Sequence, residues 1–232
     1  MNIFKKWALK SSRKNAEKYF NKTPKDRTLE DYSRIFGADI LNNLIKSLTT
    51  ESVVLDLGAG EGRAVHQLRL LGFKTVLGLD MFATNQPLIV GDFSNLPLKP
   101  QSIDAIISCS AMGFYANTRK ELLKQFEEVK RVLKPGGLLL AVFSASLDQS
   151  TKDLVAQRNG KLVFREQYQI DINNNPNAYK FELWKYNGSQ DKPKTDDSNT
   201  VFIRLEEIEK VGFNVKAISY NYGLVSVLFI VS

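Results

Sequence analysis

The chain has 232 residues, is 43% hydrophobic, holds a single cysteine and carries a formal net charge of +7. That length suits one α/β domain with additions, and that apolar content is enough for a sizeable core. One cysteine, Cys109, excludes an internal disulfide, no cysteine–histidine cluster has zinc spacing, and the longest apolar runs fall far short of the roughly 18 residues a membrane span needs. A cytoplasmic or other reducing compartment is the expectation.

The charge is concentrated at the start. Residues 1–27 carry nine basic side chains and two acidic ones, a net +7 equal to that of the whole chain, so residues 28–232 are formally neutral. Ile3, Phe4, Trp7 and Ala8, then Ala16, Tyr19 and Phe20, recur at spacings near three and four, which predicts one or two basic amphipathic helices. Three roles fit such a segment: a lid packed by its aromatic side on the domain, a contact with RNA or another polyanion, and a membrane-surface helix.

Further along, Leu29–Ser47 has the periodicity of a helix, with Leu41, Leu44, Ile45 and Leu48 at core spacing and Tyr32 and Phe36 as an aromatic stripe. Val53–Leu57 is an apolar run that ends in Gly58-Ala59-Gly60-Glu61-Gly62, followed by a helix over Arg63–Leu71. This pattern reads as a buried parallel strand, a glycine turn at its carboxyl end and a crossover helix, which is where open α/β sheets bind ligands. Glycine lets a ligand lie against bare backbone. The spacing G-x-G-x-G differs from the dinucleotide pattern G-x-G-x-x-G, and Asp56, two residues ahead of the first glycine, would repel a pyrophosphate. A cationic ligand group suits that acid better.

A second strand, Thr75–Asp80, again ends in an acid. Only nine residues separate Asp80 from Val90, too few for a full crossover helix, so the second helix is expected to be reduced to a turn or a short link. Val90-Gly91-Asp92-Phe93 reads as the end of a third strand, and Ser102–Ser108 as a fourth. Lys120–Leu133 has the pattern of an amphipathic helix stopped by Pro135-Gly136-Gly137, with a fifth strand over Leu138–Phe143. Residues 145–200 alternate short strand-like pieces, Leu162–Arg165 and Tyr179–Lys185, with polar turns. A last helix over Leu205–Lys210 and a closing strand pair, ending in Leu224–Val231, complete the chain.

Five of these segments, in order over residues 52–143, resemble the motifs of the class I S-adenosylmethionine-dependent methyltransferases. The resemblance implies an α/β, Rossmann-like sheet of seven strands, mostly parallel with the last antiparallel, and helices on both faces. It also implies S-adenosyl-L-methionine as cofactor. A basic helical extension over 1–48, a methyltransferase domain over 49–232 and an insertion over 145–200 that caps the acceptor are the expected organisation. By the same resemblance, Asp56, Gly58, Ala59, Gly60 and Gly62 form the cofactor loop, Asp80 takes the ribose hydroxyls, and Met81 packs on the adenine. Asp92 takes the adenine amino group, Phe93 frames the ring, and Ser108 completes the cofactor set. Each acid also has a plain structural reading: helix cap for Asp56, solvated strand end for Asp80, turn former for Asp92.

A sulfonium already makes its methyl group electrophilic, so the protein mainly has to hold an acceptor in line. Tyr115, in the loop after the fourth strand, is the candidate for orienting it. His66, the only histidine, is a weak candidate for a base, and no metal is expected. A small-molecule acceptor is the leading expectation, because residues 28–232 are neutral and the insertion is large enough to enclose a pocket. RNA gripped by the basic N-terminus is the alternative, and an inactive cofactor-binding partner subunit is a third.

Overall fold

The computed structural model describes residues 28–81, 88–109, 111–112, 119–146, 168–170, 182–183, 203–221 and 224–232. Among the described residues the first elements are the helices α1 (Leu29–Phe36) and α2 (Ala38–Lys46). Then follow β1 (Val53–Leu57), α3 (Arg63–Leu70), β2 (Thr75–Asp80), β3 (Ile89–Val90) and β4 (Ile103–Cys109). After these come α4 (Arg119–Val132), β5 (Leu133–Ser146), β6 (Tyr168–Ile170), β7 (Glu182–Leu183) and β8 (Ile203–Arg204). The chain closes with α5 (Leu205–Val211), β9 (Phe213–Asn221) and β10 (Leu224–Val231).

The strands form one sheet in the order β3-β2-β1-β4-β5-β10-β9, with β6 added beyond β9 and β7 and β8 branching from the end of β5. From β3 to β5 every pairing is parallel, and β10 runs antiparallel between β5 and β9. This is the expected Rossmann-like frame, mostly parallel with an antiparallel last strand. The strands read as unbroken apolar runs because both faces are covered. Alternate residues therefore enter different cores: Val54, Ala105, Ile107, Leu138 and Leu140 pack with α1, α2 and α3, while Leu55, Leu57, Leu139, Val227 and Phe229 pack with α4 and α5. On the second face Phe126, Phe213 and Phe229 meet edge to face, with ring centroids 5.8–6.2 Å apart, an arrangement worth about 0.5–1.5 kcal/mol per pair beyond area burial.

The single helix expected over Leu29–Ser47 is two helices. Gly37, at φ 87° and ψ 123°, ends α1 and starts α2, a backbone state that costs a glycine little and that breaks the helical ladder. Thr28 caps α1 through a capping box with Asp31. Tyr32 and Phe36 are buried in the core beneath the sheet face, with Ile40, Leu41 and Leu44. Ile45 and Leu48 pack against the same cluster. Of the expected 1–48 extension, residues 1–27 lie outside the described residues, as do most of residues 145–200, including the strand-like piece 162–165. The link expected in place of the second helix falls on residues 82–87, which lie outside the described residues; β3 pairs parallel to β2 on its far side.

Two polar clamps fix the turns at the other edge. Arg131 on α4 donates to the carbonyls of Leu96 and Leu98 at 2.9 and 3.0 Å, while Glu128 accepts from the Leu96 N–H at 2.8 Å. The two side chains also bond each other at 2.8 and 2.9 Å. The Arg131 guanidinium holds the Glu128 carboxyl below its ordinary pKa. Replacing Arg131 by Met leaves these acceptors unmet and is expected to destabilise the protein by about 1–3 kcal/mol, read as a lower urea midpoint at unchanged slope; an unchanged midpoint would show the clamp to be idle. At the start of β4, Asp104 accepts from Lys134 Nζ at 2.7 Å and from Val53 N–H at 2.8 Å. Its burial alone would raise its pKa, but these two donors outweigh it and hold the pKa down.

Candidate functional site

Because β1, β2, β3 and β4 are parallel, their carboxyl ends share one edge of the sheet, and the expected site residues that the structure describes gather there. The glycine loop leaves β1 and is pinned to the end of β2 by three bonds. Gly58 and Ala59 donate to the Leu79 carbonyl at 2.8 and 3.0 Å, and Gly60 N–H donates to Asp80 Oδ2 at 2.9 Å. Gly58, Gly60 and Gly62 all have positive φ, at 87°, 53° and 72°, which explains three glycines in five residues. Gly62 is the N-cap of α3. Asp56 lies inside β1 and is therefore not that cap, and Glu61, which bonds Arg63 at 3.0 Å, precedes the helix rather than sitting in its first turn.

The loop is as closely confined on its other side. A Cβ built on Gly58 would stand 2.1 Å from Ala111 Cβ and 3.7 Å from the Phe93 ring. Gly78 on β2 is similarly crowded, since a Cβ there would lie 2.3 Å from the end of the Leu88 side chain and 3.1 Å from both Ala59 and Val65. The backbone of the glycine loop thus rests directly on Ala111 after β4, on Phe93 and on β2.

Two carboxylates dominate the electrostatics. Asp56 is only 3% exposed, in the middle strand of the parallel set, and Asp80 ends the neighbouring strand. Burial, and secondarily the charge of Asp80, pushes the Asp56 pKa from 3.8 up to about 7. A buried acid that resists ionisation beside a second acid is an environment that a cationic group would relieve.

The remaining candidates are placed as follows. Met81 is half-buried against the core below the sheet edge, and Phe93 is wholly within that core. Asp92 is exposed, and its Oδ1 accepts from Ser94 N–H at 2.8 Å in a turn closed by Asn95. Ser108 is fully buried, with Oγ accepting from Met112 N–H at 3.2 Å. His66 is exposed on α3, and Tyr115 lies outside the described residues. Among the described residues no cluster of His, Cys, Asp or Glu could hold a metal, and no helix is long and apolar enough to cross a membrane.

Three features escape sequence reasoning. Ala111 is one, since nothing local marks it as the neighbour of Gly58. The crowding at Gly78 is another. The third is Arg63, the first residue of α3, whose Nε is buried and finds no hydrogen-bond partner among the described residues. A cation directly after the third glycine is the one signal the sequence offers for it.

Comparison with known proteins agrees with this architecture. Residues 35–204 match the model of a family described as hypothetical methyltransferase. The chain is similar to ribosomal RNA-processing protein 8 of Dictyostelium discoideum, 30% identical over 155 residues, or 66% of this chain and 36% of that protein. It is also similar to the 25S rRNA (adenine(645)-N(1))-methyltransferase of Schizosaccharomyces pombe, 30% identical over 124 residues, 53% of this chain and 37% of that protein. The chain thus spans little more than a third of the length of these two relatives. Among solved structures, the 1,6-didemethyltoxoflavin-N1-methyltransferase of Burkholderia thailandensis, with bound 1,6-didemethyltoxoflavin and S-adenosylhomocysteine, shares the fold. It has a TM-score of 0.52 at 12% identity over 87% of this chain and 84% of that one.

Proposed function

The chain belongs to the hypothetical methyltransferase family, class I by its fold, and from that premise we propose that it moves a methyl group from S-adenosylmethionine to RNA. The observation that carries the cofactor reading is the pair Asp56 and Asp80 around a glycine loop that is bare of side chains. Two carboxylates there fit S-adenosylmethionine, whose α-ammonium and sulfonium are cationic, and do not fit a dinucleotide pyrophosphate. Asp56, the loop Gly58 to Gly62, Asp80, Met81 and Asp92 are the residues assigned to hold it. The orphaned Arg63 Nε adds a donor next to the loop, suited to an anionic group such as the methionine carboxylate.

When bound, S-adenosylmethionine supplies a methyl group already activated by its sulfonium. The chain's own contribution is positional. The bonds from Gly58, Ala59 and Gly60 to the end of β2 fix the loop before any ligand arrives, which lowers the cost of orienting the reactants. Asp80 has a double duty on this reading, since one carboxylate oxygen holds Gly60 while the group is assigned to the ribose hydroxyls.

Two facts support RNA as the acceptor: the RNA-directed names of the relatives, and the net +7 packed into residues 1–27. Lysines on a surface gain affinity by releasing counterions from phosphates. A small molecule is the second reading, favoured by the neutrality of residues 28–232. Incubation with methyl-labelled S-adenosylmethionine and fractionated cell extract tests the choice. Nuclease-sensitive label in RNA is expected; label confined to the small-molecule fraction would move the assignment there, and label nowhere would favour an inactive partner subunit. Replacing Lys5, Lys6, Lys10 and Lys14 by Gln is expected to weaken RNA binding and to flatten its logarithmic salt slope by about 0.7 for each phosphate no longer neutralised. In a filter-binding series, a salt slope equal to that of the unmodified protein would remove the N-terminus from the interface.

A further inference from the structure

Ser108 is completely buried, and its Oγ accepts from the Met112 N–H four residues later. A buried hydroxyl needs such a partner, and this one closes a turn at the carboxyl end of β4. The turn is seated firmly. Met112 is itself buried in the core that contains Phe93, Leu96 and Leu122, and Ala111 packs against the same core. On the opposite side, Ala111 abuts Gly58 so closely that a Cβ there would be 2.1 Å from its own. The turn after β4 therefore stands on the cofactor loop without a gap. Interfaces packed this closely transmit displacement instead of absorbing it.

Resting on the cofactor assignment above, we infer that Ser108 is a positioning residue and not a cofactor ligand. Its bond to Met112 holds Ala111 on Gly58, and through this contact the occupancy of the cofactor loop is felt at Ala111 and Met112 after β4. The family resemblance groups Ser108 with the cofactor residues, at the end of a strand whose neighbours end in candidate site residues. Full burial and an oxygen engaged by its own turn point to the positioning role.

Amide hydrogen exchange on the full chain, with and without S-adenosylhomocysteine, tests this. In the unmodified protein the ligand is expected to slow exchange in two peptides, one over 56–64 and one over 105–112. In Ser108→Ala the ligand still protects 56–64, its dissociation constant stays within about twofold, and its protection of 105–112 falls about tenfold. Ala111→Gly, which keeps the Ser108 bond but opens the contact, is expected to uncouple the two peptides in the same way, and Ser108→Thr, which keeps the hydroxyl, to restore the coupling relative to Ala. Three results would overturn the inference: a cofactor affinity about tenfold weaker in Ser108→Ala, intact protection of 105–112 in both variants, or faster exchange spread evenly over the sheet regardless of ligand. Absence of protection at 56–64 in the unmodified protein would instead overturn the cofactor assignment, and the inference with it.

Discussion

Replacing Asp56 by Asn is expected to make the ligand-free protein more stable at pH 8 while weakening its hold on the cofactor. The Asp56 pKa rises from 3.8 to about 7, through burial first and the charge of Asp80 second. Because the folded-state value lies above the unfolded one, the stabilisation from the protonated form is complete below about pH 4 and is lost as pH rises through about 7. Above that range the ionised, buried carboxylate is a liability on the order of 4 kcal/mol, at about 1.36 kcal/mol for each pKa unit between the two values. Asn has nearly the same shape and no charge, so the variant should show a higher melting temperature at pH 8, little difference at pH 4, and a flatter profile between. The same substitution removes the partner of a cationic ligand group, at a cost of roughly 1.5–3 kcal/mol in affinity. In the unmodified protein, S-adenosylhomocysteine should bind more tightly as pH climbs through about 7, and in Asp56→Asn that dependence should vanish. A variant less stable than the parent at pH 8 would mean that the carboxylate is well satisfied as an anion.

The second large effect belongs to Gly58→Ala. A left-handed φ of 87° costs an L-residue about 1–2 kcal/mol. The added methyl overlaps Ala111 Cβ at 2.1 Å, an overpacking that costs about 1–3 kcal/mol more. To relieve the overlap the loop must shift, and the bonds of Gly58, Ala59 and Gly60 to β2 go with it. Affinity for S-adenosylhomocysteine is expected to fall about 100-fold or more, about 2.8 kcal/mol at roughly 1.4 kcal/mol per tenfold, because the loop assigned to the ligand loses its place. The double variant Gly58→Ala with Ala111→Gly should recover the steric part but not the backbone part. Gly136→Ala is the control, because Gly136 also has positive φ, at 73°, but nothing stands within 4 Å of its added Cβ. It should lower stability by about 1–2 kcal/mol and leave the affinity unchanged. Equal affinity losses at Gly58 and Gly136 would show that the contact with Ala111 is irrelevant.

The parallel half of the sheet is legible in the sequence because strands covered on both faces leave continuous apolar runs, and because a ligand loop at their carboxyl ends needs glycine at positive φ. Asp56, Gly58 to Gly62 and Asp80 can be found for that reason. Gly37 shows where such reading stops: one glycine inside a helical pattern can be tolerated or can break the helix, and only its position between two packed helices makes it a break. The contacts of Gly58 with Ala111, of Arg131 with the Leu96–Leu98 turn, and of Ser108 with Met112 depend on how β4 and α4 fold back on the loop. No local periodicity encodes them. Phe93 illustrates a further limit, since an aromatic residue next to a site acid can serve a ring or the core, and here its side chain lies in the core. Tyr115 and the basic segment 1–27 lie outside the described residues.

Titration calorimetry of the full chain with S-adenosylhomocysteine and, separately, with NAD at pH 8 tests the central claim most directly. Two carboxylates, in β1 and at the end of β2, beside a glycine loop with G-x-G-x-G spacing predict one site for S-adenosylhomocysteine, lost in Gly58→Ala, and no heat from NAD. Binding of NAD with none of S-adenosylhomocysteine would contradict the assignment of this loop to a cationic cofactor.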